Sequence, residues 1–183
     1  DFFYNYCNFF EEDIKFWYPQ IHKKLKNRNL KIGVSGFDNP DDHDILMDFQ
    51  IGINTPVIEN KSVRGPHLDN AKTLFAGLCY LKDSDDYTDS GHFTIFKKKP
   101  FRLLKKGRGR SIKLSDLKEI KKIKYKSNRL ATFIHTRKSI HGVSKREVTN
   151  KPRKFFVFNA VLNEKLIKIP LLKKILNRFK DYF

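Results

Sequence analysis

Three residues of this sequence have the types and the spacing needed to hold one metal ion. His67 and Asp69 stand two positions apart, and side chains two apart in an extended strand point to the same face. A second histidine, His141, follows about seventy residues later. Two histidines and one carboxylate form the facial ligand set of non-haem Fe(II) oxygenases, which leaves the other coordination positions open. The sequence therefore predicts a metal site that forms when the later segment folds back onto the first.

A basic residue suited to gripping a carboxylate follows the second histidine. Arg153 opens a strand-like run rich in phenylalanine, and a guanidinium binds a carboxylate through two parallel hydrogen bonds. We favour Arg153 because the run continues with apolar residues on the same face. Lys151 and Arg146 compete with Arg153 for this role, and His135 competes with His141 as the later metal ligand. A dicarboxylate co-substrate would suit such a set of residues.

From Leu46 to Asn163 the chain resembles the 2-oxoglutarate/Fe(II)-dependent dioxygenases, and within them the prolyl 4-hydroxylase-like branch. The run 74–81 is similar to a family strand whose tyrosine reaches the far carboxylate of 2-oxoglutarate, and Tyr80 has the position of that tyrosine. The run 90–96 is similar to the family's Gly-Gly strand opening, although His92 stands where a second glycine is usual. This departure concerns the geometry of the turn and not the metal ligands.

The later part of the chain continues this resemblance. The run 128–133 resembles the strand that precedes the distal histidine of the family. The residues around His141 match the family better than those around His135, so the resemblance favours His141 as the ligand. Arg153 stands a few residues later than in many relatives, which implies a longer connection after His141.

The resemblance implies Fe(II) as the metal, with 2-oxoglutarate and O2 as co-substrates. His67, Asp69 and His141 would hold the iron, and Arg153 and Tyr80 would hold 2-oxoglutarate. The implied reaction hydroxylates a protein side chain or a small molecule and releases succinate and CO2. The implied fold is mainly β with flanking helices, a double-stranded β-helix of the jelly-roll, cupin-like kind.

Three further residues are candidates for substrate contact. Apolar and polar residues alternate from Met47 to Asn54, which is the period of a half-buried strand. The polar face of that strand carries Gln50 and Asn54, and it could line a pocket or face water. Arg64 stands three residues before His67, where it could flank the mouth of the site.

The length of 183 residues fits one domain, and 39% hydrophobic residues supply material for a core. We expect a single oxygenase domain with an N-terminal helical region (1–44) and a barrel core (45–163). The core would carry an exposed basic insertion (97–113), and a C-terminal amphipathic helix (164–183) would pack on the barrel. Within the first region, Asn8 and Glu11 predict a helix start, and Pro19 would kink or divide the helix.

The formal net charge of +18 and the pI near 9.9 raise two alternatives to a hydroxylase. One is a basic nucleic-acid-binding module on the same barrel, and the other is an oxidative demethylase of nucleic acid. An AT-rich gene would give the same bias toward Lys, Asn, Ile and Phe. Arg146 and Arg153 lack the paired-arginine spacing of the demethylase branch, so nucleic acid remains a possible partner that the sequence does not favour.

The two cysteines, Cys7 and Cys79, do not form a disulfide framework and are typical of a reducing compartment. The sequence has no apolar run of the roughly eighteen residues that a membrane span needs, and it has no signal region at its start. We therefore expect a cytoplasmic protein. Because the sequence opens at Asp1, we also expect that the native start is missing.

Overall fold

A computed structural model describes residues 2–60, 63–100 and 112–166 of the chain. Its described residues begin with three short α-helices and continue mainly as β-strands, so the prediction of a mainly β chain with flanking helices is confirmed. None of the described helices has the length and apolar content that a membrane span requires. The helices are α1 (Phe2–Phe9), α2 (Glu11–Trp17) and α3 (Pro19–Lys26).

The predicted helix start at Asn8 is wrong, whereas the predicted break at Pro19 is confirmed. Asn8 lies inside α1, and Phe10 is the residue that precedes α2. The Glu11 carboxylate, instead of reaching back to a helix end, accepts from Lys26 at 2.5 Å across the helix pair. Pro19 opens α3, at a position where a helix needs no amide hydrogen.

The strands form two sheets. The major sheet has five strands in the order β1-β2-β8-β3-β6, and the minor sheet has three in the order β5-β4-β7. Strand β1 pairs in parallel with β2, and the remaining pairs are antiparallel. The strands are β1 (Ile32–Val34), β2 (Ile45–Asn54), β3 (Thr73–Tyr80), β4 (Phe93–Lys98), β5 (Leu117–Ile123), β6 (Arg129–Ile134), β7 (Ile140–Val143) and β8 (Arg153–Leu162).

An extended segment, residues 64–67, continues the minor sheet beyond β7. The amide of His67 donates to the carbonyl of His141 at 2.8 Å, and the amide of His141 donates back at 3.1 Å. The amide of Val143 donates to the carbonyl of Arg64 at 2.8 Å. These bonds form a short antiparallel ladder, so the segment that carries His67 is fixed to the strand that carries His141.

Two of the three apolar clusters among the described residues hold the layers together. The helices cover the outer face of the major sheet, where the ring of Tyr6 lies 4.5 Å from that of Phe75 and 5.2 Å from that of Phe158. Gly77 lies directly beneath Phe158, because a Cβ at residue 77 would come within 2.1 Å of that ring. The second cluster fills the space between the two sheets and consists of Tyr80, Phe93, Tyr125 and Ala131.

The predicted regions fit this architecture only in part. The N-terminal region contains β1 as well as helices, so its description as purely helical is incomplete. Lys97 and Lys98 belong to the end of β4 and not to a separate insertion. Residues 101–111 of the predicted basic insertion and residues 167–183 of the predicted C-terminal helix lie outside the described residues.

Candidate metal centre and anion pocket

The three predicted ligands lie together between the sheets. The Nε2 atoms of His67 and His141 each lie 3.6 Å from Oδ1 of Asp69. The three donor atoms lie within 4.8 Å of one another, and no other such group of potential ligands occurs within the described part of the chain. Residues about seventy positions apart in sequence thus converge on one point, as their spacing predicted.

Backbone carbonyls set the orientation of both imidazole rings. Nδ1 of His67 lies 2.9 Å from the carbonyl oxygen of Gly65, and Nδ1 of His141 lies 2.9 Å from that of Ser139. A carbonyl can only accept, so each Nδ1 carries the proton and each Nε2 presents a lone pair. Such hydrogen bonds to the second ring nitrogen are the usual way in which proteins fix a ligating histidine.

Close backbone packing keeps the two histidines adjacent. A Cβ at Gly142 would lie 3.0 Å from the backbone of Gly65 and Pro66, so a side chain there would push the 64–67 segment away from β7. The ring of His141 is stacked on Phe93 at 5.2 Å and lies 4.7 Å from the ring of Phe133. These contacts leave His141 little freedom to rotate away from Asp69.

The electrostatics of the cluster favour the protonation states that a metal needs. Burial lowers the pKa of His141 to about 4, although Asp69 acts in the opposite direction. Burial acts to raise the pKa of Asp69, but its interactions with His67 and His141 outweigh burial and hold that pKa below its ordinary value. At neutral pH the site therefore offers a neutral imidazole at His141 beside an ionised carboxylate.

The donor set fits a divalent transition metal. Two ligands at right angles, each about 2.1 Å from a metal, lie about 3 Å apart. The two histidine–aspartate separations are 3.6 Å, and all three donor atoms lie within 4.8 Å of one another, so the set would contract around an ion. Because the three donors are two nitrogens and one oxygen on one side of the site, the opposite side can accept exogenous ligands.

A buried arginine faces the same space. Arg153 is 2% exposed, and its Nε donates to the carbonyl of Gly91 at 3.0 Å. Its Nη1 donates to Oδ1 of Asn54 at 3.1 Å. Its Nη2 is buried and has no hydrogen-bond partner in residues 2–60, 63–100 and 112–166. A buried cation with an unused donor is costly unless an anion completes it, so this group is suited to binding a carboxylate.

Three aromatic rings surround the guanidinium of Arg153. Its central carbon lies 4.8 Å from the ring of Phe155, 4.9 Å from that of Tyr80 and 5.3 Å from that of Tyr125. The Tyr80 hydroxyl is buried and, among the described residues, has no hydrogen-bond partner. Burial raises the pKa of Tyr80 above its ordinary value, although Arg153 opposes the change. The hydroxyl therefore keeps its proton at neutral pH.

The metal ligands and the arginine line one cavity of about 290 Å³. His67, Asp69 and His141 lie on its wall together with Arg153. Tyr80 does not line the cavity itself but packs against Arg153 behind the wall. The cavity thus brings together the three predicted metal ligands and the arginine predicted to bind a carboxylate, whereas Tyr80, predicted to bind the same carboxylate, lies behind the wall.

The three candidates for substrate contact have different positions. Arg64 is exposed and lines the cavity, as predicted for a residue at its mouth. Asn54 also lines the cavity, but its side chain is hydrogen-bonded to Arg153, so it orients the arginine. Gln50 is exposed, does not line the cavity, and donates to Asp48 at 2.9 Å.

The competing residues lie elsewhere. His135 is buried outside the metal-ligand group, with Nδ1 3.2 Å from Oγ of Ser139. Lys151 is paired with Asp85. Arg146 is buried, but it donates to the backbone carbonyls of Thr55 and Lys151 at 2.6 and 2.9 Å and does not line the cavity. The geometry therefore favours His141 over His135 and Arg153 over both basic alternatives.

Two residues that the sequence did not single out for the site support Arg153. Gly91 has a φ of +70°, and its carbonyl accepts the Nε hydrogen bond of the arginine. Tyr125 packs edge-on against Tyr80 at 5.0 Å, and its hydroxyl accepts from the amide of Lys154 at 3.0 Å. The glycine was visible as part of the strand opening 90–96, but no spacing signal connects Tyr125 to a residue 28 positions later.

No protein-family model matches the chain, and a search of curated proteins found no match. The geometry and chemistry of the cavity therefore carry the functional assignment.

Proposed function

We propose that this protein is an Fe(II)- and 2-oxoglutarate-dependent dioxygenase that hydroxylates a protein side chain or a small molecule. The observation that carries the proposal is the presence, in one cavity, of a facial His-Asp-His cluster and a buried arginine with an unused donor. A 2-oxoglutarate molecule needs both, because its keto-acid end chelates the metal and its far carboxylate needs a cation.

The strand arrangement supports a double-stranded β-helix. Along the chain, β2 lies in the major sheet, the 64–67 segment in the minor, β3 in the major, and β4 and β5 in the minor. Strands β6, β7 and β8 then continue in the major, minor and major sheets. Eight segments that cross between two sheets in this way, four in each once β1 is set aside, are the arrangement expected of a jelly roll.

The side chains have separable roles in this proposal. His67, Asp69 and His141 hold Fe(II) through two Nε2 atoms and one carboxylate oxygen. Arg153 grips the far carboxylate of 2-oxoglutarate, and Tyr80 packs against the guanidinium from behind the cavity wall. Because the guanidinium is already held at Nε and Nη1, its remaining donor is oriented before the co-substrate arrives, which lowers the entropic cost of binding.

Bound iron would supply the activation of O2, which is chemistry that no amino-acid side chain provides. In the balanced reaction, one oxygen atom enters the substrate C–H bond as hydroxyl and the other enters succinate as 2-oxoglutarate loses CO2. Around the cluster, Phe93 and Phe133 pack against His141 and keep water from the back of the site. Arg64 remains the candidate for contact with the substrate at the mouth.

The test is an anaerobic titration of the purified protein with Fe(II) and 2-oxoglutarate, followed by the metal-to-ligand absorption band. The parent protein should develop the band, and a His67→Ala variant should not. The absence of a band from a parent protein that circular dichroism shows to be folded would overturn the proposal. A band that survives in His67→Ala would show that the cluster is not the metal site.

A further inference from the structure

Strand β2 has an unpaired outer edge. Strand β1 pairs only with Ile45, Leu46 and Met47 of β2, after which the chain turns away from the sheet at Ser35. On its other side β2 is paired with β8 without a register shift from Ile45 to Asn54. Within the described part of the chain, no strand covers the outer edge of residues 48–54.

The backbone groups on this edge can be assigned. The amide of Ile45 donates to Lys31 at 3.2 Å, and the carbonyl of Met47 accepts from Ser35 at 2.8 Å. Both bonds point away from β8. Because backbone groups alternate along a strand, the amides and carbonyls of Phe49, Ile51 and Ile53 point away from β8 as well. The edge thus presents three donors and three acceptors in a row.

The same three residues expose large apolar side chains. Phe49 is 42% exposed, Ile51 75% and Ile53 62%. Natural proteins usually protect a free edge with lysine, proline or a bulge. Strand β5, at the edge of the minor sheet, carries three lysines, whereas β2 contains none although 38 of the 183 residues are Lys or Arg. The edge of β2 therefore has the features of a pairing surface and not of a protected edge.

We infer that a second copy of this chain pairs with the edge of β2, antiparallel and about a two-fold axis that passes through Ile51. In this register, Ile51 faces its own counterpart and Phe49 faces Ile53. All six edge groups are then bonded, because each opposed pair exchanges two hydrogen bonds. A two-fold interface must be self-complementary, and the spacing of these three residues about Ile51 satisfies that requirement.

The opposite face of β2 tolerates the same register. About Ile51, Gln50 faces Gly52 and Asp48 faces Asn54, so the only charged residue of the strand meets an amide and not another carboxylate. The absence of lysine from β2 means that, despite the net charge of +18 on each copy, the paired strands bring no cations together. Charge and side-chain type are thus compatible with pairing on both faces.

Apolar residues at the two ends of the edge add contact area. Phe37 follows the turn after β1 and is 91% exposed, and Ile58 follows the end of β2 and is 94% exposed. In an antiparallel pair, the Phe37 end of one copy lies beside the Ile58 end of the other. A stable interface needs on the order of 1,000 Å² of buried surface, which a five-residue ladder alone does not reach.

The first test is the oligomeric state of the full chain by light scattering coupled to size exclusion over a range of concentrations. We expect a dimer, and we expect Ile51→Lys to weaken it at least about tenfold, because the two-fold axis would bring both new charges together. Ile120→Lys is the matched control, since Ile120 lies on the exposed β5 edge and is 56% exposed. A monomeric parent, or equal effects of the two lysines, would overturn the inference.

Cysteine cross-linking tests the register. In Ile51→Cys the two thiols face each other across a pair with Cα atoms about 5.5 Å apart, within the range that a disulfide bridges. In Ile53→Cys they lie about 14 Å apart along the strands, beyond that range. Cross-linking of residue 53 in preference to residue 51 would contradict the register. A monomer whose amides at 49, 51 and 53 resist hydrogen exchange would show that the chain covers its own edge, and would also overturn the inference.

Discussion

Arg153 and Asn54 are directly opposed in the β2–β8 ladder, and their side chains are also hydrogen-bonded at 3.1 Å. The strand that opposes Arg153 therefore fixes the direction in which its guanidinium points. Any anion in the cavity would meet a cation whose position is set by the sheet itself.

Replacing Arg153 with Gln should weaken 2-oxoglutarate binding by at least about thirtyfold, because removing one partner of a buried charge pair costs about 2 kcal/mol or more. The dissociation constant can be measured from the Fe(II)–2-oxoglutarate absorption band. Arg146→Gln is the matched control. It removes a buried arginine that borders Gly91 beside Arg153 but bonds to backbone carbonyls and does not line the cavity, so it should lower the melting temperature and weaken binding much less than Arg153→Gln. Equal losses of affinity would contradict the assignment of Arg153.

Replacing His141 with Ala should abolish Fe(II) binding, whereas His135→Gln should keep it. The reason is that His141, unlike His135, places its Nε2 beside Asp69. The measurement is the metal content of each variant after loading and dialysis, with circular dichroism to show that both are folded. Loss of metal from a folded His135→Gln variant, with retention in His141→Ala, would reverse the assignment of the later ligand.

Replacing Gly52 with Ala should weaken 2-oxoglutarate binding. A Cβ at residue 52 would lie 2.2 Å from the ring of Phe155, and that ring packs against the guanidinium of Arg153. We expect about a tenfold loss of affinity, because a displaced Phe155 ring would shift the guanidinium of Arg153 but leave its charge in place. Gly65→Ala should have no such effect, because no atom lies within 4 Å of a Cβ there and its φ is not positive. Calorimetric titration of both variants provides the comparison.

The metal-free protein should lose stability as the pH falls from about 6.5 to about 4. Burial lowers the pKa of His141 to about 4 in the folded state, against about 6.5 in an unfolded chain. In this range the unfolded chain holds a proton that the folded chain does not, so acidification favours unfolding. The free energy of unfolding should fall by up to about 3 kcal/mol, as measured by urea denaturation at each pH.

A His141→Gln variant should lack this part of the pH dependence. Asp69 acts in the same direction but at lower pH, because its pKa is below the ordinary value in the folded state and its contribution is lost only as that carboxylate takes up a proton. An identical loss between pH 6.5 and 4 in the parent and in His141→Gln would show that another group is responsible.

The sequence predicted the candidate metal ligands better than their surroundings. His67 and Asp69 could be identified because residue type and a spacing of two determine which atoms can share an ion, and the family resemblance favoured His141 over His135. The residues that orient Arg153 could not be identified in this way. Gly91 and Tyr125 come from other segments, and their contacts with the arginine depend on how the two sheets face each other.

The prediction made for strand β2 was limited in the same way. The alternation from Met47 to Asn54 correctly indicated a strand with two unlike faces. It could not show that the apolar face would be covered by helices only at one end, leaving Ile51 and Ile53 exposed. Nor could it show that Asn54 would bind Arg153 while Gln50 would lie outside the cavity. Alternation of apolar and polar residues shows which side chains share a face of a strand. Which groups pack against each face depends on the tertiary structure.

The backbone bonds between His67 and His141 also bear on the order of events during synthesis. A ribosome releases His67 and Asp69 about seventy residues before His141, and the ladder between them cannot form until β7 has emerged. A partly synthesised chain therefore offers only two of the three donors, and two flexible donors bind a metal weakly. The complete set of three donors therefore exists only after β7 has paired with the 64–67 segment, so a metal ion would bind the full site only after the two segments have come together.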